Sequence, residues 1–519
     1  MTKQSFIKGT MILLAAGMLN RILGFIPRIT LPRVIGAEGV GLYQMGWPFL
    51  ILVLTFLTGG IPIAIAKLVA EAEAARNERR IRSILYISLS LVIALGVFFT
   101  TVCLVASRWI TSHLLTDSRV YMTFIFMSPI IIIVGISAVF RGYFQGKQNM
   151  IPTAVSQIVE TMVRIVMVLV CASLMLPYGI EYAAAGAMLG VTIGEIGGLL
   201  VLVWQYNKHK QLRPSQVEPS ITLNNGRLTN LRHILRIAIP VTGSKLVGAS
   251  SYLLESILIA QSLAIAGVTT AIATAQYGAL QGMVIPILML PSALTFSLSV
   301  SLVPSLSEAA ARKDMKTIHQ RLHQSLRLAL VTGAPFAMLM FVLAVPLCTI
   351  LYNQPEVGVM LKMMAPVALF IYFQAPLQAA LQALDKPGSA LINGLIGSVA
   401  KLSLIAWLAS KPEMGISGAI LAININIVLV TLLHWNSIVR LLKFRMQENE
   451  FLKVSLAILI SGVCCYMVMN ITWIDSSWVR FASSCLVGMA LYLASIVALR
   501  LVNQEDIKRV IKLSKQIFN

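Results

Sequence analysis

Fourteen stretches of about twenty mostly apolar residues follow one another along this chain, and that repetition decides its solvent. A helix needs about 20 such residues to cross roughly 30 Å of hydrocarbon. Continuous apolar runs such as Leu91 to Val105 favour helices over the short alternating strands of a membrane barrel. With 57% hydrophobic and 12% charged residues over 519 positions, and a mean hydropathy of +0.83, the chain lies far from the soluble range of about a quarter charged. The expected class is an all-α polytopic membrane protein with about 14 transmembrane helices.

The net charge of +21 raises the question of nucleic acid, so the position of the charges matters. Counting loops in order, 30 of the 41 Lys and Arg lie on the side of the N-terminus, 6 on the other side and 5 within segments. Arg76, Arg79, Arg80 and Arg82 are on the first side, as are Arg312, Lys313, Lys316 and Arg321, and Lys508, Arg509, Lys512 and Lys515. This is the positive-inside pattern, which places both termini in the cytoplasm and makes the helix count even. Membrane orientation accounts for the basic excess, so no nucleic-acid partner is expected. Lys3, Lys8 and the run Met11 to Leu19 have the outline of a signal peptide, but Arg21 follows and no small-residue cleavage site appears, so a retained first helix is expected.

The segments run at about 6 to 35, 41 to 68, 82 to 107, 119 to 146, 151 to 177 and 181 to 206. After a polar stretch they resume at about 232 to 261, 270 to 307, 325 to 352, 360 to 384, 389 to 410 and 415 to 439, with a last pair near 452 to 474 and 477 to 500. This divides the chain into an N-terminal six-helix lobe (1–207), a cytoplasmic linker (208–230), a C-terminal six-helix lobe (231–445), two additional helices (446–500) and a basic cytoplasmic tail (501–519). The lobes share punctuation. Glu71-Ala-Glu-Ala matches Glu308-Ala-Ala-Ala and Gln145 matches Gln382, both at an offset of 237 residues, while Gly186-Ala-Met-Leu matches Gly418-Ala-Ile-Leu at 232. Six helices being an even number, the copies insert in the same orientation, which implies parallel repeats around a central cavity.

Ionisable groups within a membrane cost at least about 2.5 kcal/mol at a helix centre, so each needs a partner, an aqueous cavity or a task. The first segment carries Arg21, Arg28 and Arg33 and no carboxylate. Arg21 and Arg28, seven residues apart, share a face of a continuous helix and would form a cationic wall suited to diphosphate, which guanidinium binds in bidentate fashion. The alternative has Arg33 snorkelling to the outer interface and Arg28, beside Pro27, satisfying broken backbone. Glu160 and Arg164 stand at i and i+4, either lining a cavity or neutralising each other. Lys245, Glu255 and Lys401 are further candidates. Ser137, Arg141 and Gln145 form one polar stripe, and Gln374, Gln378 and Gln382 another; each lines a cavity or bonds helices together. Glu195 lies on a helix whose Gly186, Gly190, Gly194 and Gly198 suit close packing. Pro62, Pro240, Pro286, Pro291 and Pro304 interrupt several segments.

Other chemistry finds no motif. There is no G-x-x-x-x-G-K-[ST] for nucleotides, His319 and His323 lack the glutamate of a zinc protease, and Gly36-x-x-Gly39-x-Gly41 follows a membrane helix rather than a strand. No metal, cofactor or catalytic residue is expected, and the six cysteines, without C-x-x-C spacing, read as buried free thiols.

Arg141-Gly-Tyr-Phe-Gln-Gly-Lys-Gln-Asn-Met, Gln4-Ser-Phe-Ile-Lys-Gly-Thr and Leu176-Pro-Tyr-Gly-Ile-Glu-Tyr-Ala-Ala-Ala-Gly-Ala-Met-Leu, with the helix count, resemble the polysaccharide-exporter branch of the multidrug, oligosaccharidyl-lipid and polysaccharide flippase superfamily. The resemblance covers nearly the whole chain. It implies outward movement of an undecaprenyl-diphosphate-linked peptidoglycan precursor, lipid II or a close relative, during spore cortex synthesis, with membrane lipids and cortex-synthesis enzymes as further partners. Asn20-Arg21-Ile-Leu-Gly-Phe is also similar to the first helix of the lipid II flippases, where the arginine at the Arg21 position is important and Arg33 falls on another arginine. The Arg and Glu those flippases carry in the eighth helix are missing between Tyr277 and Pro291. The competing readings are a cation-coupled drug exporter of the same superfamily and a membrane scaffold that recruits cortex synthases.

Overall fold

In lipid every backbone N–H and C=O must find its partner within the chain, and this protein meets that demand with helices throughout. The structure, a computed structural model, describes residues 6–211, 224–444, 446, 448–471, 475–499 and 501. Residues 212–223 of the expected linker and the basic tail after 501 lie outside the described residues. Among the described residues there is no strand, and thirteen helical stretches are long and apolar enough to cross a membrane. The first of them, Ala15–Ala74, has 60 residues, more than one crossing needs at 1.5 Å per residue, and takes in two of the fourteen segments.

The chain forms two compact units. Unit 1 is the chain up to Met283 together with Ile405–Ile416; unit 2 is Val284–Leu404 with the chain from Ser417 onward. Unit 1 contains α1 (Phe6–Leu23), α2 (Phe25–Thr58), α3 (Ile61–Ala74), α4 (Glu78–Trp109), α5 (Val120–Met127), α6 (Ile130–Gly146), α7 (Ile151–Met175), α8 (Ile180–Gln211), α9 (Asn224–Ile265) and α10 (Thr270–Gly278). Two breaks shape its beginning. Gly24 separates α1 from α2, and Gly36, at φ 68°, gives α2 a left-handed residue that a side chain would resist.

The tightest packing in unit 1 is α7 on α8, and the glycine face of α8 makes it. A Cβ on Gly186 would come 2.5 Å from the Cys171 carbonyl oxygen, and one on Gly190 2.4 Å from the Val168 backbone. One on Gly194 would meet the Arg164 Cβ at 2.8 Å, and one on Gly198 the Glu160 Cβ at 3.0 Å. The expectation of close packing holds along the whole ridge. A second backbone approach joins α2 to α10, where a Cβ on Gly41 would be 2.0 Å from the Thr274 carbonyl oxygen and one on Gly278 2.2 Å from that of Ala37. Gly41 thus serves helix packing.

Unit 2 contains α11 (Ile285–Met289), α12 (Ser292–Ala311), α13 (Met315–Val342), α14 (Ala344–Tyr352), α15 (Pro355–Met364), α16 (Ala368–Ala383), most of α17 (Pro387–Leu408), α18 (Gly415–Leu442), α19 (Glu448–Met469) and α20 (Ser477–Ala498). Its core gathers α12, α13 and α16, with Leu306, Leu322, Leu326 and Leu377 fully buried. Two buried tyrosines give their hydroxyls to free carbonyls: Tyr372 to Leu288 at 3.0 Å and Tyr492 to Val331 at 2.8 Å. Asp314 caps α13 through the Thr317 N–H at 3.1 Å and hydroxyl at 2.6 Å, bonds that hold its carboxyl below the usual carboxylate range. Of the five prolines expected to interrupt segments, Pro240 and Pro304 lie inside helices, whereas Pro62 and Pro286 fall in first turns and Pro291 directly precedes α12. All six cysteines are unbridged.

The α8 ridge is testable. Gly190→Leu should lower the thermal stability of the purified protein by the about 1–3 kcal/mol of overpacking, because backbone rather than a movable side chain stands in the way. Gly197→Ala, whose new Cβ would be 3.4 Å from the Val163 side chain, is the control expected to behave as wild type. Equal melting curves for both variants would contradict the packing.

Candidate functional site

The three arginines of the first segment are all exposed on unit 1, but their setting differs from that expected. A turn at Gly24, whose N–H still donates to the Asn20 carbonyl at 2.8 Å, separates α1 from α2 between Arg21 and Arg28. Pro27 falls in the first turn of α2 and brings no N–H to the Leu23 carbonyl four residues before it. Arg21 and Arg33 each have an interaction partner. Arg28 makes no side-chain hydrogen bond or ion pair among the described residues, and stands within electrostatic reach of Tyr43 on α2 and Tyr252 on α9.

Glu160 and Arg164 do pair, within a larger network. Arg164 Nη2 donates to Glu160 Oε1 and, at 2.9 Å, to Glu195 Oε1 on α8. Arg141 Nη2 on α6 donates to Glu160 Oε2 at 2.6 Å. The Gly194 and Gly198 contacts bring α8 close enough for Glu195 to reach across to α7. Two guanidiniums and two carboxyl groups from three helices thus meet in one network, with Glu160 8% exposed. Of the stripe on α6, Ser137 is buried and Gln145 is exposed at the helix end.

On α9, Lys245 Nζ donates to the Gly59 carbonyl at 2.7 Å, placing an ammonium on the C-terminal end of α2, where the helix leaves carbonyls free. Glu255, 7% exposed, accepts from Gln281 Nε2 at 3.1 Å and lies beside Tyr252. The structure also joins a set of charges that the apolar spans did not point to. Arg119 donates to both oxygens of Asp117, at 3.1 Å and 2.9 Å, and to Glu38 Oε1 at 2.6 Å, while Thr274 Oγ1 donates to Asp117 Oδ2 at 2.7 Å. This cluster ties α2, the turn before α5 and α10 together beside the Gly41 approach. Its one sequence signal is the spacing Asp117-x-Arg119 in a short loop.

In unit 2, Lys401 is half-buried and partnered, and Gln378 and Gln382 are exposed. Gln374 acts as helix glue, its Nε2 donating to the Ile427 carbonyl and to Thr431 Oγ1, each at 3.1 Å. Asn393 Nδ2 bonds to His434 Nδ1 and to Ser437 Oγ, each at 3.0 Å, in the interior of α17 and α18. His319 reaches the Leu442 carbonyl at 2.9 Å, and His323 stands 3.2 Å from Glu450, so both tie α13 to neighbouring helices. The described residues contain no group of His, Cys, Asp and Glu arranged to hold a metal ion.

Residues 6–310 match the family model described as polysaccharide biosynthesis protein, more than half of the chain. The chain belongs to this family. Residues 252–407 also match the MatE family. Within the family the chain is 42% identical to stage V sporulation protein B of Bacillus subtilis (strain 168), over 98% of both chains. It is 28% identical to the lipid II flippase MurJ of the same organism, over 80% of this chain and 79% of that one. A solved lipid II flippase MurJ in an inward closed conformation superposes with a TM-score of 0.71 at 17% identity, covering 94% of this chain and 99% of that one, which shows the shared fold. The family member described here is accordingly a multi-pass membrane protein of the flippase and transporter superfamily.

The Asp117 cluster yields an expected outcome of its own. Asp117→Ala leaves Thr274 unsatisfied and Arg119 with Glu38 alone, and should cost about 3 kcal/mol or more of stability in thermal unfolding, as breaking a buried pair does. Thr274→Val should cost about 1 kcal/mol. A loss for Asp117→Ala no larger than that for Thr274→Val would show that the cluster carries no buried ion pair.

Proposed function

We propose that this protein is a flippase that moves a polyprenyl-diphosphate-linked peptidoglycan precursor, lipid II or a close relative, outward by alternating access, in the service of spore cortex synthesis. The observation that carries the reading is Arg28. It is an arginine on a membrane-spanning helix with no carboxylate to neutralise it among the described residues, flanked by the phenols of Tyr43 and Tyr252. A guanidinium kept unpaired at such cost suits a ligand that brings its own negative charge, and a diphosphate presents oxygens matched to the guanidinium fork. Arg21 and Arg33 on the same segment add positive potential for the same head group. Lys245 and Glu255, in the same unit, are proposed to border it, with Gln145 offering an exposed amide to sugar hydroxyls. The names of the relatives, a lipid II flippase and a sporulation protein, support the choice of cargo. The positive-inside distribution of Lys and Arg supports insertion in the cell membrane with both termini cytoplasmic.

The match to the MatE family favours a second reading, a cation-coupled drug exporter. That chemistry wants a membrane-buried acid on the first segment, and residues 6 to 35 hold arginines and no carboxylate.

The test is translocation of lipid II by the purified protein in proteoliposomes. Wild type should flip it, and Arg28→Ala should lose binding by about ten- to a hundred-fold, the worth of a hydrogen bond to a charged group, while its melting temperature stays unchanged. Arg28→Lys should recover only part, since an ammonium cannot bind in bidentate fashion. Full activity of Arg28→Ala would remove the head-group assignment. Failure of wild type, with drug efflux in its place, would favour the exporter.

A further inference from the structure

We propose that Glu160 and Glu195 form a single proton-binding site inside unit 1, two carboxyl groups holding one exchangeable proton between them. Both accept from the same atom, Arg164 Nη2, so a single guanidinium nitrogen gathers the two carboxyl groups. Like charges gathered on one donor in a medium of low dielectric favour sharing a proton over both ionising. The groups facing the pair are few. Arg141 approaches from α6 and Arg164 from α7, and Tyr43 of α2 stands within electrostatic reach of Arg164 and of Arg28.

A purely structural quartet would saturate its donors, and this one does not. The Nε atoms of Arg141 and Arg164 are buried without an acceptor. Ser156, one turn before Glu160 on the same face of α7, and Ser137, one turn before Arg141 on α6, are fully buried with hydroxyls that have no partner. Unpartnered polar atoms lining both ends of an ionised cluster are what a short file of water molecules satisfies, and such a file carries protons.

The proton changes the charge of unit 1. With both carboxylates ionised the quartet is neutral, and with one proton it is positive by one charge. Because charges in the same unit are coupled through a low dielectric, anion binding at Arg28 and proton uptake at the pair favour each other, and the linkage is reciprocal. This coupling, though not the proton site itself, rests on the head-group reading above.

Glu195→Gln reproduces the charge of the protonated quartet and is expected to fold. In nanodiscs, wild type should bind farnesyl diphosphate more tightly as pH falls and take up about one proton per molecule beyond what the ligand itself exchanges. Glu195→Gln should bind with the affinity wild type reaches at low pH and without that extra uptake. An infrared difference spectrum should show a protonated carboxyl band in wild type that disappears in Glu195→Gln and also in Glu160→Gln, since the proton is shared. A Glu195→Gln protein that keeps the wild-type pH dependence, or a band unaltered in both variants, overturns the proposal. If wild type shows the band but does not bind farnesyl diphosphate, the proton site stands and the head-group reading falls.

Discussion

Carrying a guanidinium into hydrocarbon costs several times the thermal energy, and the arrangement of unit 1 follows from how each of its charges meets that cost. Arg141 and Arg164 meet it with carboxylates from the neighbouring helices. Lys245 meets it with the exposed end of a helix. Arg119 meets it with two carboxylates and draws a third helix in through Thr274. These pairings decide which helices are adjacent and at what height, because an ion pair in a low dielectric tolerates little displacement.

Glycine makes those pairings reachable. Glu195 touches Arg164 because Gly194 and Gly198 let α8 lie against α7 with no side chain between the backbones. Thr274 reaches Asp117 because Gly41 and Gly278 let α2 and α10 meet in the same way. In water, apolar burial would hold such helices together; in lipid it gives no preference between a neighbouring helix and an acyl chain. Close backbone packing and buried polar contacts supply the cohesion instead, and here both occur at the same places.

Much of this was legible in the sequence wherever one helix carried the whole signal. The spans follow from apolar length, the Glu160–Arg164 pair from its i, i+4 spacing, and the packing face of α8 from four glycines at spacing four. What needed two or more helices was not legible. Nothing near Arg141 in the chain indicates Glu160, nineteen residues away across a turn, and nothing near Asp117 indicates Thr274, 157 residues further on. The turn at Gly24 has no mark in the sequence beyond the glycine itself and Pro27 three residues on, and its torsions, φ −65° and ψ −12°, stay nearly helical.

The contrast between Arg28 and its neighbours then gains meaning. Evolution of a purely structural membrane unit removes uncompensated charge, since a neutral residue of similar volume is cheaper at the same depth. Unit 1 compensates Arg141, Arg164, Arg119 and Lys245 within its own fold and leaves Arg28 without such a partner among the described residues. Arg28, exposed on α2, is where an anionic head group is proposed to supply that partner.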